Sequence, residues 1–302
     1  ELGMGHVVRS LRLMLELESA HRVEGYFIGR WLDGADGPLW RRHPLRLLRF
    51  VGPLAVPHDD IEWFADRADA RLVLFDLLLD PLEDTPLLAK LRGRGVKVAT
   101  LHEHAFPWAN VDLAINPSVI EQEHIDGRPS IQGAEYLLVD PAYGDPPRYP
   151  RRPKTMAIVL GGADPGELTR PAVDAVLAHP AFADWRITLV LGPAAGGFEP
   201  PSDLRVSVER ALPGLVQLFQ ESEVAITNGG TTCYEALAAG CKVAAIPQNE
   251  FEDHVIGVLF RHRALLPWYA EGTLDRLTAF EPTRVVDGQG VRRVAAAVAA
   301  LL

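Results

Sequence analysis

Val224-Ala-Ile-Thr-Asn-Gly-Gly-Thr-Thr-Cys-Tyr-Glu-Ala-Leu-Ala-Ala-Gly240 is the stretch that decides how this chain folds. A short apolar run leads into Asn228-Gly229-Gly230, and Thr231-Thr232 then open a segment with helical spacing. Strand, glycine turn and helix start in direct succession form the unit from which parallel α/β sheets are built. Glycines let a ligand approach the backbone closely. Threonine hydroxyls and the N–H groups of a helix N-terminus suit a diphosphate. Glu235 stands about one turn into the helix, where a carboxylate can accept bonds from a ribose. The same residues also read as a plain strand–turn–helix with a solvated glutamate, and both readings stand at this point.

Outward from this unit the alternation continues. Residues 155–160, 185–191, 205–208, 224–227 and 242–247 read as strands. Helices are expected at 168–178, 212–221, 232–239 and 253–261, with a terminal helix at 291–302. Residues 145–154 are rich in proline and charge, have no periodicity, and read as a linker. Ahead of it, 23–28, 71–76, 96–101 and 111–116 read as strands, 83–95 as a helix, and 33–60 as irregular. Val7, Leu11, Met14 and Leu15 give residues 7–17 a helical spacing. The glycine turn before them normally follows a strand, so a first strand is expected ahead of residue 1. The expected architecture is α/β: two Rossmann-like lobes, 1–145 and 155–302, with parallel sheets and an interdomain cleft. The terminal helix is expected to return to the N-terminal lobe.

The bulk composition narrows the function. The chain has 302 residues, 48% hydrophobic and 23% charged, which is ordinary for a globular protein with a real core. Its net charge of −10 argues against a nucleic-acid partner, because a phosphate backbone favours a basic face. An anionic ligand must then be held by local devices such as helix N-termini. Cys233 and Cys241 cannot make a disulfide framework, and a reduced, cytoplasmic compartment is expected. No apolar run approaches the ~18–20 residues of a membrane helix. No cofactor and no protein partner are implied.

Two further glycine-rich turns carry site candidates. Leu160-Gly161-Gly162-Ala-Asp-Pro165 follows a strand directly, the edge at which open α/β sheets bind ligands. A tight turn without function is the alternative. Gly3-Met-Gly5-His6-Val-Val-Arg9 opens the first helix. There the helix dipole disfavours added positive charge on His6, as a general base requires. Arg9 shares its face and can meet a phosphate or hydroxyl. A capping histidine is the plain alternative. His102-Glu103-His104, with His124, offers a metal pair and a third ligand, but no cysteine or carboxylate cluster supports it and no metal is expected. No G-x-S-x-G elbow, G-x-x-x-x-G-K-[ST] loop or G-x-G-x-x-G fingerprint is present.

Together these segments resemble the GT-B nucleotide-sugar superfamily. Within it they look most like the UDP-sugar hydrolases of pseudaminic acid biosynthesis and the spore-coat polysaccharide proteins. The resemblance rests on Gly3 to Arg9, Asp112-Leu-Ala-Ile-Asn-Pro117, Gly133-Ala-Glu-Tyr-Leu-Leu-Val-Asp-Pro141, Gly161 to Pro165 and Thr227 to Gly240, in order along nearly the whole chain. It implies UDP in the C-terminal lobe, with Gly161 and Gly162 near the nucleotide, Asn228, Gly229, Gly230, Thr231 and Thr232 at the diphosphate, and Glu235 on the ribose. It implies His6 as the metal-independent base that activates water, with Arg9 beside it. Gly5, Asp76, Gln248, Asn249 and Glu250 would face the sugar. The implied reaction is hydrolysis of a UDP-sugar; the alternatives are glycosyl transfer to a small acceptor and non-catalytic binding. Two stretches depart from the family pattern, both in the sugar-binding half. His102-Glu103 stands where a pair of aspartates is usual, and Leu77-Leu78-Leu79 where an aromatic or histidine is common.

Overall fold

The computed structural model describes residues 4–25, 27–30, 47–50, 58–76, 86–101, 111–120, 129–162, 167–192, 198–199, 201–210, 212 and 214–302. The chain forms two compact units. The N-terminal unit comprises Val8–Tyr136 with Val291–Leu302, and the C-terminal unit Glu1–Val7 with Leu137–Gly290.

The N-terminal unit carries the parallel pair β1 (Phe27–Arg30) and β2 (Leu47–Phe50). It also carries a four-stranded parallel sheet of β3 (Leu72–Asp76), β4 (Lys97–Leu101), β5 (Leu113–Asn116) and β6 (Ser130–Gln132), in chain order. Leu87, Leu88 and Leu91 of the helix Pro86–Gly93 pack with Phe75, Val96 and Val98. The terminal helix Gly290–Ala299 buries Val291, Val294, Ala295 and Val298, the spacing of one helical face. Within the N-terminal unit, Arg293 Nη1 donates to the Glu135 carbonyl at 2.8 Å and Arg71 Nη1 to the Leu302 carbonyl at 3.3 Å. No helix among the described residues is long and apolar enough to cross a membrane.

The C-terminal unit is built on a six-stranded parallel sheet. Its strands are β7 (Thr155–Val159), β8 (Arg186–Leu191), β9 (Val206–Arg210), β10 (Val224–Asn228), β11 (Lys242–Ile246) and β12 (Leu266–Pro267). They lie in the order β12-β11-β10-β7-β8-β9, the doubly wound order of a Rossmann-like domain. The central strands read Thr-Met-Ala-Ile-Val, Val-Ala-Ile-Thr-Asn and Lys-Val-Ala-Ala-Ile, continuous apolar runs because helices cover both faces. β9 sits at the edge and alternates Val206 and Val208 with Ser207 and Glu209, so only one side of it meets the core. Ile158, Ile226, Leu189 and Val173 are fully buried in that core, where Phe182 meets Trp185 edge-on at 5.1 Å.

Cys233 and Cys241 are unpaired and buried in this unit. Burial pushes the Cys233 thiol up to about 12 and the Cys241 thiol up to about 11, from an ordinary 9.0. A raised thiol pKa means that the unfolded chain releases its protons first as pH rises. The stabilisation is therefore complete below 9.0 and is lost toward about 11 to 12. We expect the urea midpoint to fall over that alkaline window, and to fall less in a Cys233→Ala/Cys241→Ala variant. Equal slopes in both proteins would dissociate the thiols from this pH dependence.

Parallel sheets in both units match the sequence expectation, and three local readings need correction. Residues 23–25 are not strand: Arg22 leaves the first helix at φ 57°, and Val23 N–H turns back to the Leu17 carbonyl. Gly25 lies so close beneath Met14 that a Cβ would reach Met14 Cγ at 2.6 Å, and the strand starts at Phe27. The stretch 33–60 is not irregular throughout, since it contains β2 and the start of the helix His58–Arg67. The helix expected at 253 begins at Glu250, because Asn249 caps it.

Candidate functional site

In the C-terminal sheet the chain moves from β7 to β8 on one side, whereas β10 leads to β11 on the other. Loops leaving the carboxyl ends of such neighbours diverge, and the crevice between them is where doubly wound sheets take ligands. Here those loops are Gly161-Gly162 after β7 and Gly229-Gly230 after β10.

The glycines have separate reasons. Gly161 sits at φ +87°, where a side chain is strained, and a Cβ on it would stand 3.4 Å from Asn228 Nδ2. At Gly229 a Cβ would meet Glu252 Cβ at 2.7 Å and the Glu252 carbonyl oxygen at 2.8 Å. Gly162 is packed so tightly by the loop after β8 that a Cβ on Gly192 would overlap the Gly162 carbonyl. Gly230 is the N-cap of the helix Thr231–Ala238 and, having no side chain, supplies no side-chain cap. Its first-turn N–H groups carry the positive end of the dipole, with no acceptor from the N-cap residue's side chain. Thr231 and Thr232 are half-buried at this start. Glu235 is 4% exposed, so it is not the solvated glutamate of the plain reading.

Sequence reading missed the residue that ties the glycine loop after β10 to the loop after β11. Glu252, buried in the first turn of the helix Glu250–Arg261, accepts from Asn228 Nδ2 at 2.8 Å, Gly229 N–H at 3.1 Å and Gln248 N–H at 2.9 Å. Its own N–H donates to Asn249 Oδ1 at 2.9 Å. Asn249-x-x-Glu252 is the spacing of a capping box, a signal available in the sequence. A capping-box glutamate normally turns back to the N-cap N–H, whereas this one reaches across to the β10 loop. Gln248 adds a second tie, its Nε2 donating to the Leu160 carbonyl at 2.7 Å. Gln248 and Asn249 therefore both have structural work in this region, and Glu250 is exposed beside them.

The first turn of the helix Met4–His21 carries Gly5 and His6, which group with the C-terminal unit. A Cβ on Gly5 would lie 3.3 Å from Thr231 Oγ1, so this turn abuts the glycine loop after β10. His6 is half-buried there. Arg9 and Asp76, placed in different roles by the sequence, are partners inside the N-terminal unit. Arg9 Nε donates to Asp76 Oδ2 at 3.0 Å and Nη2 to Oδ1 at 2.5 Å, while Ser10 Oγ donates to Oδ2 at 2.5 Å. Leu77 to Leu79, His102 to His104 and His124 lie outside the described residues.

Two α/β units with parallel sheets and this strand order define a GT-B fold. Known proteins agree with that class. No family model matches the chain. Over 269 residues it is 24% identical to the spore coat polysaccharide biosynthesis protein SpsG of Bacillus subtilis (strain 168), covering 83% of this chain and 76% of that protein. Among solved structures, the spinosyn forosaminyltransferase SpnP matches with a TM-score of 0.62 at 15% identity, over 98% of this chain and 92% of that one. The UDP-GlcNAc 2-epimerase from Methanocaldococcus jannaschii matches with a TM-score of 0.60 at 9% identity, over 97% and 96% of the two chains.

Proposed function

We propose that this protein is a GT-B enzyme of polysaccharide biosynthesis that binds a nucleoside-diphosphate sugar in its C-terminal unit and transfers the sugar to a small hydroxyl acceptor. The observation that carries the reading is the glycine crevice at the β7–β10 switch point, flanked by a helix start whose N-cap is the glycine Gly230. Similarity to a polysaccharide biosynthesis protein, and a fold shared with a glycosyltransferase and a nucleotide-sugar epimerase, support it.

In this reading Thr231, Thr232 and the N–H groups beside them hold the diphosphate, and UDP is the nucleotide. His6 takes the proton from the acceptor hydroxyl as its oxygen bonds the anomeric carbon. The bond from that carbon to the diphosphate breaks, and UDP departs with its charge held at the helix start. Transfer is favoured over hydrolysis because the similar proteins of named activity are a transferase and an epimerase. Incubation with UDP-sugars should release UDP only when an acceptor sugar or alcohol is supplied. Equal release of UDP and free sugar without acceptor would make the enzyme a hydrolase. No release and no UDP binding in any arm would overturn the nucleotide-sugar reading.

Glu235 provides a separate check. If its carboxylate accepts ribose hydroxyls at a desolvated position, Glu235→Ala should weaken UDP binding by roughly 10–100-fold. A calorimetric Kd equal to wild type would return Glu235 to a packing role.

A further inference from the structure

The amide of Asn228 lies between the two glycine loops, and its orientation is chemically determined. Its Nδ2 stands 2.8 Å from Glu252 Oε1, while Glu252 Oε2 is occupied by the N–H groups of Gly229 and Gln248. A carboxylate only accepts, so the amide nitrogen must face Glu252 and the amide oxygen must face away from it. That oxygen, Oδ1, is buried and has no hydrogen-bond partner among the described residues. It lies 3.8 Å from where a Gly161 Cβ would be, and Gly161 has none. A buried acceptor left without a donor is costly, and proteins keep few of them without a purpose.

We propose that Glu252 is a positioning residue that presents Asn228 Oδ1 as a hydrogen-bond acceptor, making this part of the crevice a subsite for a ligand hydroxyl or N–H and not for a phosphate oxygen. The inference rests on the nucleotide-sugar reading and refines it. Asn228 is removed from the diphosphate cradle, which leaves Thr231, Thr232 and the helix start to hold the anion. The donor group comes from either the ribose or the sugar, and the two sources are separable by ligand.

The test exploits the geometry of Glu252→Gln. The Gly229 and Gln248 N–H groups still require an oxygen, so the new amide nitrogen must face Asn228. Asn228 then turns over, offers its oxygen to that nitrogen, and points an N–H₂ into the crevice. The number of protein hydrogen bonds is unchanged, so the melting temperature should stay near wild type. The subsite changes from acceptor to donor, and affinity for UDP-GlcNAc should fall by about tenfold or more. Adding Asn228→Asp restores an acceptor on both sides: one carboxylate oxygen takes the glutamine N–H and the other faces the ligand. This double variant should recover affinity to within about threefold of wild type at the same net charge.

Calorimetry with UDP and with UDP-GlcNAc, alongside melting temperatures, reads all three proteins. Loss of affinity for both ligands in Glu252→Gln assigns the donor to the nucleotide, and loss for UDP-GlcNAc alone assigns it to the sugar; either supports the inference when the double variant recovers. Wild-type affinity in Glu252→Gln would overturn it, as would a folded double variant that stays as weak as the single. Affinity losses that merely follow melting temperature would also overturn it, because a structural role predicts that pattern. Wild type binding neither ligand is a distinct result, which overturns the nucleotide-sugar reading and takes this inference with it.

Discussion

His6→Ala should lower turnover by about 10²–10⁴-fold, the range supplied by a positioned general base. The residue sits in the first turn of a helix whose Gly5 abuts Thr231, beside the proposed diphosphate loop. A base acts on the acceptor hydroxyl and contributes little to holding the nucleotide, so UDP affinity should change by no more than about twofold. A capping or packing histidine predicts the opposite pattern: a lower melting temperature with near-normal turnover per folded molecule. Measuring kcat, UDP affinity and melting temperature on one variant separates the two. Turnover within a few-fold of wild type would remove His6 from the mechanism while leaving the nucleotide site standing.

That contrast also marks what sequence reading can reach. β7, β10 and β11 are legible because five-residue apolar runs bordered by glycine turns suit a buried strand and are too short for a helix. β6 spans three half-buried residues, β12 two, and the helix Thr273–Leu277 five, all too short for a period to emerge. β2 is a Leu-Leu-Arg-Phe segment among arginines and prolines, which hides its alternation. The site divides the same way. Asn228 through Glu235 are contiguous, so their chemistry is readable from one motif. Glu252 bonds residues 23 and 24 positions away, and Gln248 bonds one 88 positions away. Only the fold brings those groups together, and the capping pattern that marks Glu252 does not name its distant partners.

The Arg9–Asp76 pair is the same case at 67 positions, and it carries the second large effect. The side chains are 5% and 10% exposed, so Asp76→Ala leaves a guanidinium with little solvent and no carboxylate fork. Breaking a buried pair by removing one partner costs about 3–5 kcal/mol. At about 2–4 °C per kcal/mol, the N-terminal unit should melt roughly 6–20 °C lower. Replacing both partners removes the buried charge together with the bond, so Arg9→Met/Asp76→Leu should be markedly more stable than Asp76→Ala alone. That non-additivity is the diagnostic result, since two independent surface residues would give additive losses. A small or additive effect, read by calorimetric unfolding, would show that solvent reaches the pair and that the fork is dispensable to the fold. Lysine cannot form the two-pronged fork, so Arg9→Lys should lower the unfolding temperature before it alters UDP affinity.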